Sequence, residues 1–243
     1  MAVSAREPIG AASGPTPPDA AARPRKGRAI TETLVILVVA LAVSALVRAF
    51  LLQAFYVPSS SMESTILPGD RIVASKITTT ISGPERGEIM VFRDPGGWLP
   101  DATSTDEGWR SALRSGLTFI GLLPSDSGND LVKRVIGLPG DRVACCDSDG
   151  RIVLNGVSLE EPYVTGATDQ VRFDVTVPAG RMFVMGDNRG NSRDSRYHLD
   201  LDNGGVPISN GVGRVVLTVW PLDRLGVAEI PSIFGNPAIS VGR

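Results

Sequence analysis

Hydrophobic and polar positions divide the chain into three parts. Residues 1–29 are rich in Ala, Pro, Gly and Ser, show no apolar period and read as a disordered tail. From Leu34 to Leu52, 17 of 19 residues are apolar, Ser44 and Arg48 being the exceptions. Coiled as a helix, that run is about 28 Å long, close to the roughly 30 Å hydrocarbon core of a bilayer. It exceeds the ~7–15 apolar residues of a cleavable signal peptide, and no clear small-x-small site follows at the right place. The pattern therefore predicts a single transmembrane helix over residues 30–55, with Arg48 snorkelling to the far interface.

Residues 56–243 follow a different rhythm. Short Val/Ile-rich runs recur between turn signals, at Arg71–Ile77, Glu88–Phe92, Leu131–Gly137, Arg142–Ala144, Arg151–Leu154, Val157–Leu159, Val171–Val177, Arg181–Met185 and Gly213–Trp220. Asn155-Gly156, between two of these runs, is a strong hairpin signal. The fold class expected is mainly β, an antiparallel body preceded by one N-terminal span. Residues 94–129 interrupt the rhythm as an insertion, with one short helix expected over Glu107–Ile120. Its apolar stretch Leu117–Leu123 is too short to span a membrane, so it packs on the body or touches lipid.

Charge adds an orientation. Arg23, Arg25, Lys26 and Arg28 precede the span, and after Arg48 no basic residue occurs before Arg71. The positive-inside rule then places the N-terminus in the cytoplasm and residues beyond about 55 outside. The net charge of −2 carries no nucleic-acid footprint. The single histidine, His198, and the two cysteines, Cys145 and Cys146, rule out multi-histidine and Cys-rich metal sites. Consecutive Cα atoms lie about 3.8 Å apart, below the usual disulfide span, so a vicinal bridge and two free thiols both stay open. Any Ser-His-Asp triad has to use His198, whose other reading is a surface or structural histidine.

Three polar islands carry candidate chemistry. The first is Val57-Pro58-Ser59-Ser60-Ser61-Met62-Glu63-Ser64-Thr65-Ile66. The second runs from Lys133 through Arg134 and Gly137 to Asp141, and the third from Met185 through Gly186, Asp187 and Ser192 to Arg196. Lys133 sits inside a strand-like run whose period of two groups it with Leu131 and Val135, and groups Arg134 with Val132 and Ile136. Both faces are largely apolar, an unusual setting for lysine. A salt-bridged or snorkelling lysine is one reading. A catalytic one is the other, because burial disfavours the ammonium, and a drop of two to three pKa units leaves roughly 4–30% of the amine neutral at pH 7. Such an amine takes a proton from a serine hydroxyl and returns it to a leaving amine.

The three islands resemble the signature boxes of bacterial type I signal peptidases (leader peptidases), membrane-anchored serine–lysine endopeptidases. Arg86-Gly87-Glu88-Ile89-Met90-Val91-Phe92 is similar to a fourth box of that family. The resemblance implies a catalytic body of the signal-peptidase type and assigns roles by position. Ser61 matches the nucleophile and Lys133 the general base. Ser59 matches the side-chain donor of the oxyanion hole, with the Ser61 backbone N–H as the other donor. Ser192 matches the serine that orients the lysine amine. Asp194 with Arg196, and Arg134 with Asp187, match structural ion pairs that keep carboxylates from stabilising the ammonium. Gly186 is expected where the backbone passes close to the lysine. Met62 and the strand around Val73 are expected in shallow pockets for alanine-like side chains.

By the same resemblance the reaction needs no metal and no cofactor. The implied partners are signal peptides of exported preproteins and the lipid bilayer, near the secretion translocon, at the bacterial cytoplasmic membrane. One departure stands out: the family usually has proline and threonine after Ser-Met-x, whereas Ser64 precedes Thr65 here. The competing readings are a self-cleaving repressor-type serine–lysine protease and an anchored protein that keeps the fold without turnover.

Overall fold

The computed structural model describes residues 26–99 and 129–240. Residues 1–25 of the tail expected over 1–29, the short helix over Glu107–Ile120 and the apolar stretch Leu117–Leu123 lie outside the described residues, whereas residues 26–29 belong to the first helix and not to a tail. The first element is α1 (Lys26–Phe50), and its segment Ile30–Val47 is long and apolar enough to cross a membrane. Leu34, Ile36, Val38 and Leu46 are each more than half exposed, so protein does not cover this stripe.

The apolar run continues to Leu52, but the helix stops at Phe50. Leu52–Tyr56 forms strand β1, paired antiparallel with β2 (Arg71–Ser75) from Leu52↔Ser75 to Tyr56↔Arg71. Burial of Phe55 against Ile72 in a common apolar cluster gives this strand its inner face. The expected β2 run is likewise shortened, because Lys76–Ile81 turns into a short helix, α2.

The other strands follow in chain order: β3 (Ile89–Arg93), β4 (Asp130–Gly137), β5 (Arg142–Cys145), β6 (Ile152–Leu154), β7 (Val157–Ser158), β8 (Phe173–Thr176), β9 (Arg181–Met185), β10 (Val206–Pro207), β11 (Gly211–Trp220) and β12 (Gly226–Val227). They form two antiparallel sheets. The larger has the order β1-β2-β11-β3-β4-β9-β10, with β12 on β11; the smaller has the order β7-β6-β5-β8. Asn155 and Gly156 both take positive φ in the turn between β6 and β7, as their hairpin chemistry requires.

Three apolar clusters hold this arrangement. Ile136, Phe183 and Met185 of the large sheet pack with Val143, Ile152, Leu154 and Phe173 of the small one. Phe55, Met62, Ile66, Ile72, Val91 and Val215 lie beneath the first polar island. Met90, Phe92, Trp98, Val135, Met182 and Val184 form the third cluster. The alternation inferred for β4 is visible here, with Val135 in one cluster and Ile136 in another.

Candidate active site

Strand β4 lies between β3 and β9, with Met90↔Lys133 and Arg134↔Met185 in register. That central position buries the lysine, which is only 3% exposed. The first island folds into a tight turn, with N–H bonds from Glu63 to Ser60 O (3.0 Å) and from Ile66 to Met62 O (2.9 Å). Met62 and Ile66 are its apolar anchors, each at most 2% exposed. With the turn fixed from below, Ser61 faces β4, and Lys133 Nζ donates to Ser61 Oγ.

Burial pulls the Lys133 amine down to about 8. The Asp194 and Asp187 carboxylates push it back up, while the Arg196 guanidinium lowers it. Loss of hydration is the larger influence, because both carboxylates are already engaged by arginines. Asp187 accepts from Arg134 Nε (2.9 Å) and Nη2 (2.6 Å), and Asp194 accepts from Arg196 Nε (2.9 Å) and Nη2 (3.0 Å). All four of these side chains are buried.

Ser61 N–H donates to Ser59 Oγ at 3.2 Å, which brings these two groups together at the turn. Ser192 is buried beside the dyad's glycine neighbour, but its hydroxyl donates to Asp194 Oδ2 (2.8 Å) rather than to the amine. At Gly186 an added Cβ would lie 2.4 Å from Ser61 O and 2.3 Å from Ser192 Oγ. The Gly186 N–H donates to Asp194 Oδ2 at 3.0 Å. Glycine is thus the residue that lets the third island press against the turn bearing Ser61.

Several supporting residues escape a reading of the sequence alone. Asn188 N–H donates to Ser61 O (3.1 Å), its side chain donates to Ser60 O (3.1 Å), and Asn191 Nδ2 donates to Ser60 Oγ (2.7 Å). Thr65 Oγ1 donates to Asp187 Oδ2 (2.6 Å), tying the serine turn to the Arg134 pair. Arg189, fully buried, donates to Gly186 O (3.0 Å) and makes a two-pronged pair with Glu161 (2.6 and 2.9 Å). Arg134 also lies 4.1 Å over the Tyr163 ring. The two asparagines were signalled by their place in the third island, whereas Glu161 and Tyr163 had no local signal.

Residues 30–220 match the family model described as signal peptidase, peptidase S26. The chain belongs to this signal peptidase family. It is 35% identical over 234 residues to a probable signal peptidase I of Mycobacterium leprae, covering 84% of this chain and 80% of that one. Identity to the signal peptidase I of Mycobacterium tuberculosis is 37% over 238 residues, covering 85% and 78%. A solved signal peptidase I from Enterococcus faecalis V583 is 28% identical and covers 54% of this chain and 95% of its own, at a TM-score of 0.35.

Beside Ser61 and Lys133 lies an apolar cleft of about 390 Å³. It is lined by Phe55 to Ser59, Ser61 and Met62 of the first island and its approach, by Val91 and Leu99, and by Asp130 to Lys133. Met62 is therefore in place. Val73 is not among the lining residues: it is held in the interior of β2 between Ala54 of β1 and Leu217 of β11, and β2 contributes nothing to this cleft. Among the described residues, no group of three His, Cys, Asp or Glu is placed to hold a metal ion. His198 lies flat on Trp98 at 4.5 Å, and its backbone N–H donates to Ser195 O. Cys145 and Cys146 are joined as a vicinal disulfide.

Ser64 has φ +90° and donates from Oγ to Tyr163 O. Proline holds φ near −65° and cannot adopt that conformation. Ser64→Pro is expected to cost about 2–3 kcal/mol in urea unfolding. Ser64→Gly is expected to stay within about 0.5 kcal/mol of the parent, because relief at positive φ offsets the lost hydroxyl bond.

Proposed function

We propose that this chain is a membrane-anchored serine endopeptidase that removes N-terminal signal peptides from exported preproteins, with Ser61 as nucleophile and Lys133 as general base. One observation carries the reading: the Lys133 amine, buried and drawn down to about 8, is hydrogen-bonded to Ser61 Oγ at the edge of an apolar cleft. At pH 7 about a tenth of such amines are neutral, a large gain over free lysine.

In the neutral form the Lys133 nitrogen accepts the Ser61 proton as Oγ bonds to the carbonyl carbon of the residue before the cleavage site. The negative charge that develops on the carbonyl oxygen is met by Ser61 N–H and the Ser59 hydroxyl, which turn from each other to the new oxyanion. When the C–N bond breaks, the Lys133 ammonium gives its proton to the departing amine. Water then enters and bonds to the acyl carbon as Lys133 takes its proton; the bond from that carbon to Ser61 Oγ breaks, and the Lys133 ammonium returns the proton to Oγ. Ser192 and Asp194 act on the amine from behind, Ser192 through its bond to Asp194. The dyad supplies base and acid in turn, so the cycle needs no metal or cofactor.

In this reading α1 crosses the bacterial cytoplasmic membrane once, with its basic N-terminal flank inside and the β body outside, near the translocon. Ser61 follows Leu52 by nine positions, which keeps the reaction close to the outer leaflet, where signal peptides end. The test uses the full chain in detergent with a preprotein whose cleavage site carries alanine at its first and third upstream positions. Cleavage is expected, and a serine-acylating inhibitor is expected to form one adduct, mapping to Ser61. Cleavage by Ser61→Ala at the parent rate, or an adduct at another serine, would reject the assignment.

A further inference from the structure

The segment that follows β3 has no part in the reaction above, yet it reaches the cleft. Asp94 folds it back on itself: Oδ1 accepts the N–H groups of Gly96 (2.9 Å) and Trp98 (3.2 Å), and Oδ2 accepts that of Leu99 (3.0 Å). Trp98 is 7% exposed, stacked flat on His198 at 4.5 Å and edge-on to Phe92 at 6.0 Å. With the carboxylate holding the Leu99 N–H and the indole locked in the core, Leu99 lines the cleft, tied through Asp94 to Asn129 at the start of β4.

Strand register says which part of a substrate meets it. The pairs Met90↔Lys133, Phe92↔Leu131 and Arg93↔Asp130 run along the cleft, and Asp94 N–H donates to Asn129 O at 2.8 Å. An extended peptide advances about 3.3 Å per residue, as β4 does. If the scissile carbonyl lies at Lys133, Leu131 is two residues away and the Asp130 end is three or more. The cleft lining also runs back in sequence from Ser61 through Pro58 to Tyr56 in β1, the strand that follows the apolar helix. This end therefore takes the side of the peptide that continues into its apolar segment.

We propose that Leu99 is a specificity-determining residue, selecting an apolar side chain at the fourth or fifth substrate position upstream of the scissile bond, and that Asp94 positions it. The proposal rests on the peptidase reading of Ser61 and Lys133. It gives the start of the 94–129 insertion a task, one that composition alone did not disclose. Apolar contacts of this size separate substrates by roughly 10–200-fold.

The experiment compares kcat/KM of the full chain in detergent on two peptides that differ only in Leu or Ser at the fourth and fifth upstream positions. The parent is expected to favour the Leu peptide about tenfold or more. Leu99→Asn is expected to bring the ratio below about threefold, Leu99→Met to preserve it, and Asp94→Ala to lower it without touching substrate. Because the readout is a ratio, a general loss of folded protein leaves it unmoved. A parent ratio near one, or an unchanged ratio in Leu99→Asn, overturns the proposal. Failure of the underlying reading looks different: neither peptide is cut, or Ser61→Ala cuts both as fast as the parent, and the role of Leu99 then falls with it.

Discussion

Lys133→Met is expected to stop peptide cleavage and, at neutral pH, to make the protein more stable. The two effects share a cause. The amine is 3% exposed and its folded-state pKa is about 8, against 10.5 for free lysine, chiefly because burial strips the ammonium of water. A lowered pKa on a basic group means that the unfolded chain binds the proton more tightly. Stability therefore rises with pH between about 8 and 10.5, and the whole penalty is felt below 8. That shift corresponds to about 3 kcal/mol as an upper figure, part of which the bond to Ser61 returns.

Methionine fills nearly the same volume without a charge, so a gain of about 1–3 kcal/mol is expected at pH 7, and none at pH 11. The same substitution removes both base and acid from the reaction, for an expected loss of about 10⁴-fold or more in kcat. In the parent, kcat/KM is expected to climb about tenfold per pH unit up to a limb near 8 and then level, because the neutral amine is the active form. Thermal unfolding at the two pH values and a pH–rate profile measure all of this. A Lys133→Met protein that still turns over, or a rate that falls as pH rises from 6 to 8, is incompatible with the dyad.

The second large effect expected is that of Gly186→Ala. Its new methyl group would sit 2.4 Å from the Ser61 carbonyl oxygen and 2.3 Å from Ser192 Oγ. Ser192 has room only by giving up its bond to Asp194, and the Ser61 carbonyl can move only with the turn that carries Ser61. Overpacking of this kind costs about 1–3 kcal/mol, more when backbone must yield. Cleavage is expected to fall by about 10²-fold or more, since a displacement near 1 Å at a reacting group has that effect. Circular dichroism and urea unfolding separate the two losses. Activity within twofold of the parent would show that the approach of the third island to Ser61 is not needed.

Both expectations draw on one connected polar framework. Thr65 ties the serine turn to Asp187, Asp187 holds Arg134, and Arg134 follows Lys133 along β4. On the other side Asp194 gathers Arg196, Ser192 and the Gly186 N–H. A buried carboxylate near the amine would ordinarily keep it charged. Here each such carboxylate is already neutralised by a guanidinium, which leaves burial as the larger influence on Lys133.

Much of this was legible in the linear pattern, for physical reasons that can be named. An unbroken apolar run, alternating Val/Ile segments and an Asn-Gly step each report local backbone preferences, and α1, β4, β9 and the β6–β7 turn lie where those signals put them. Polar residues dense in an apolar context marked the islands that meet around Ser61. Less legible was β1, because its five residues continue the apolar run and only pairing with β2 makes them a strand. Val73 is a different case: its strand pairs with β1 and β11, and it is not among the residues that line the cleft.

The sequence by itself determined the apolar helix, the β rhythm, the face of β4 that Lys133 shares with Val135, and the family to which the motifs point. Only the tertiary structure decided that residues 72 positions apart in the chain share a hydrogen bond. It also decided that Ser192 serves Asp194, that His198 packs on Trp98, that the two cysteines join, and that Leu99 reaches the cleft. Periodicity settles which way a side chain points from its own strand. Which group waits there depends on register, crossing connections and buried ion pairs, all of which form between segments remote in the chain.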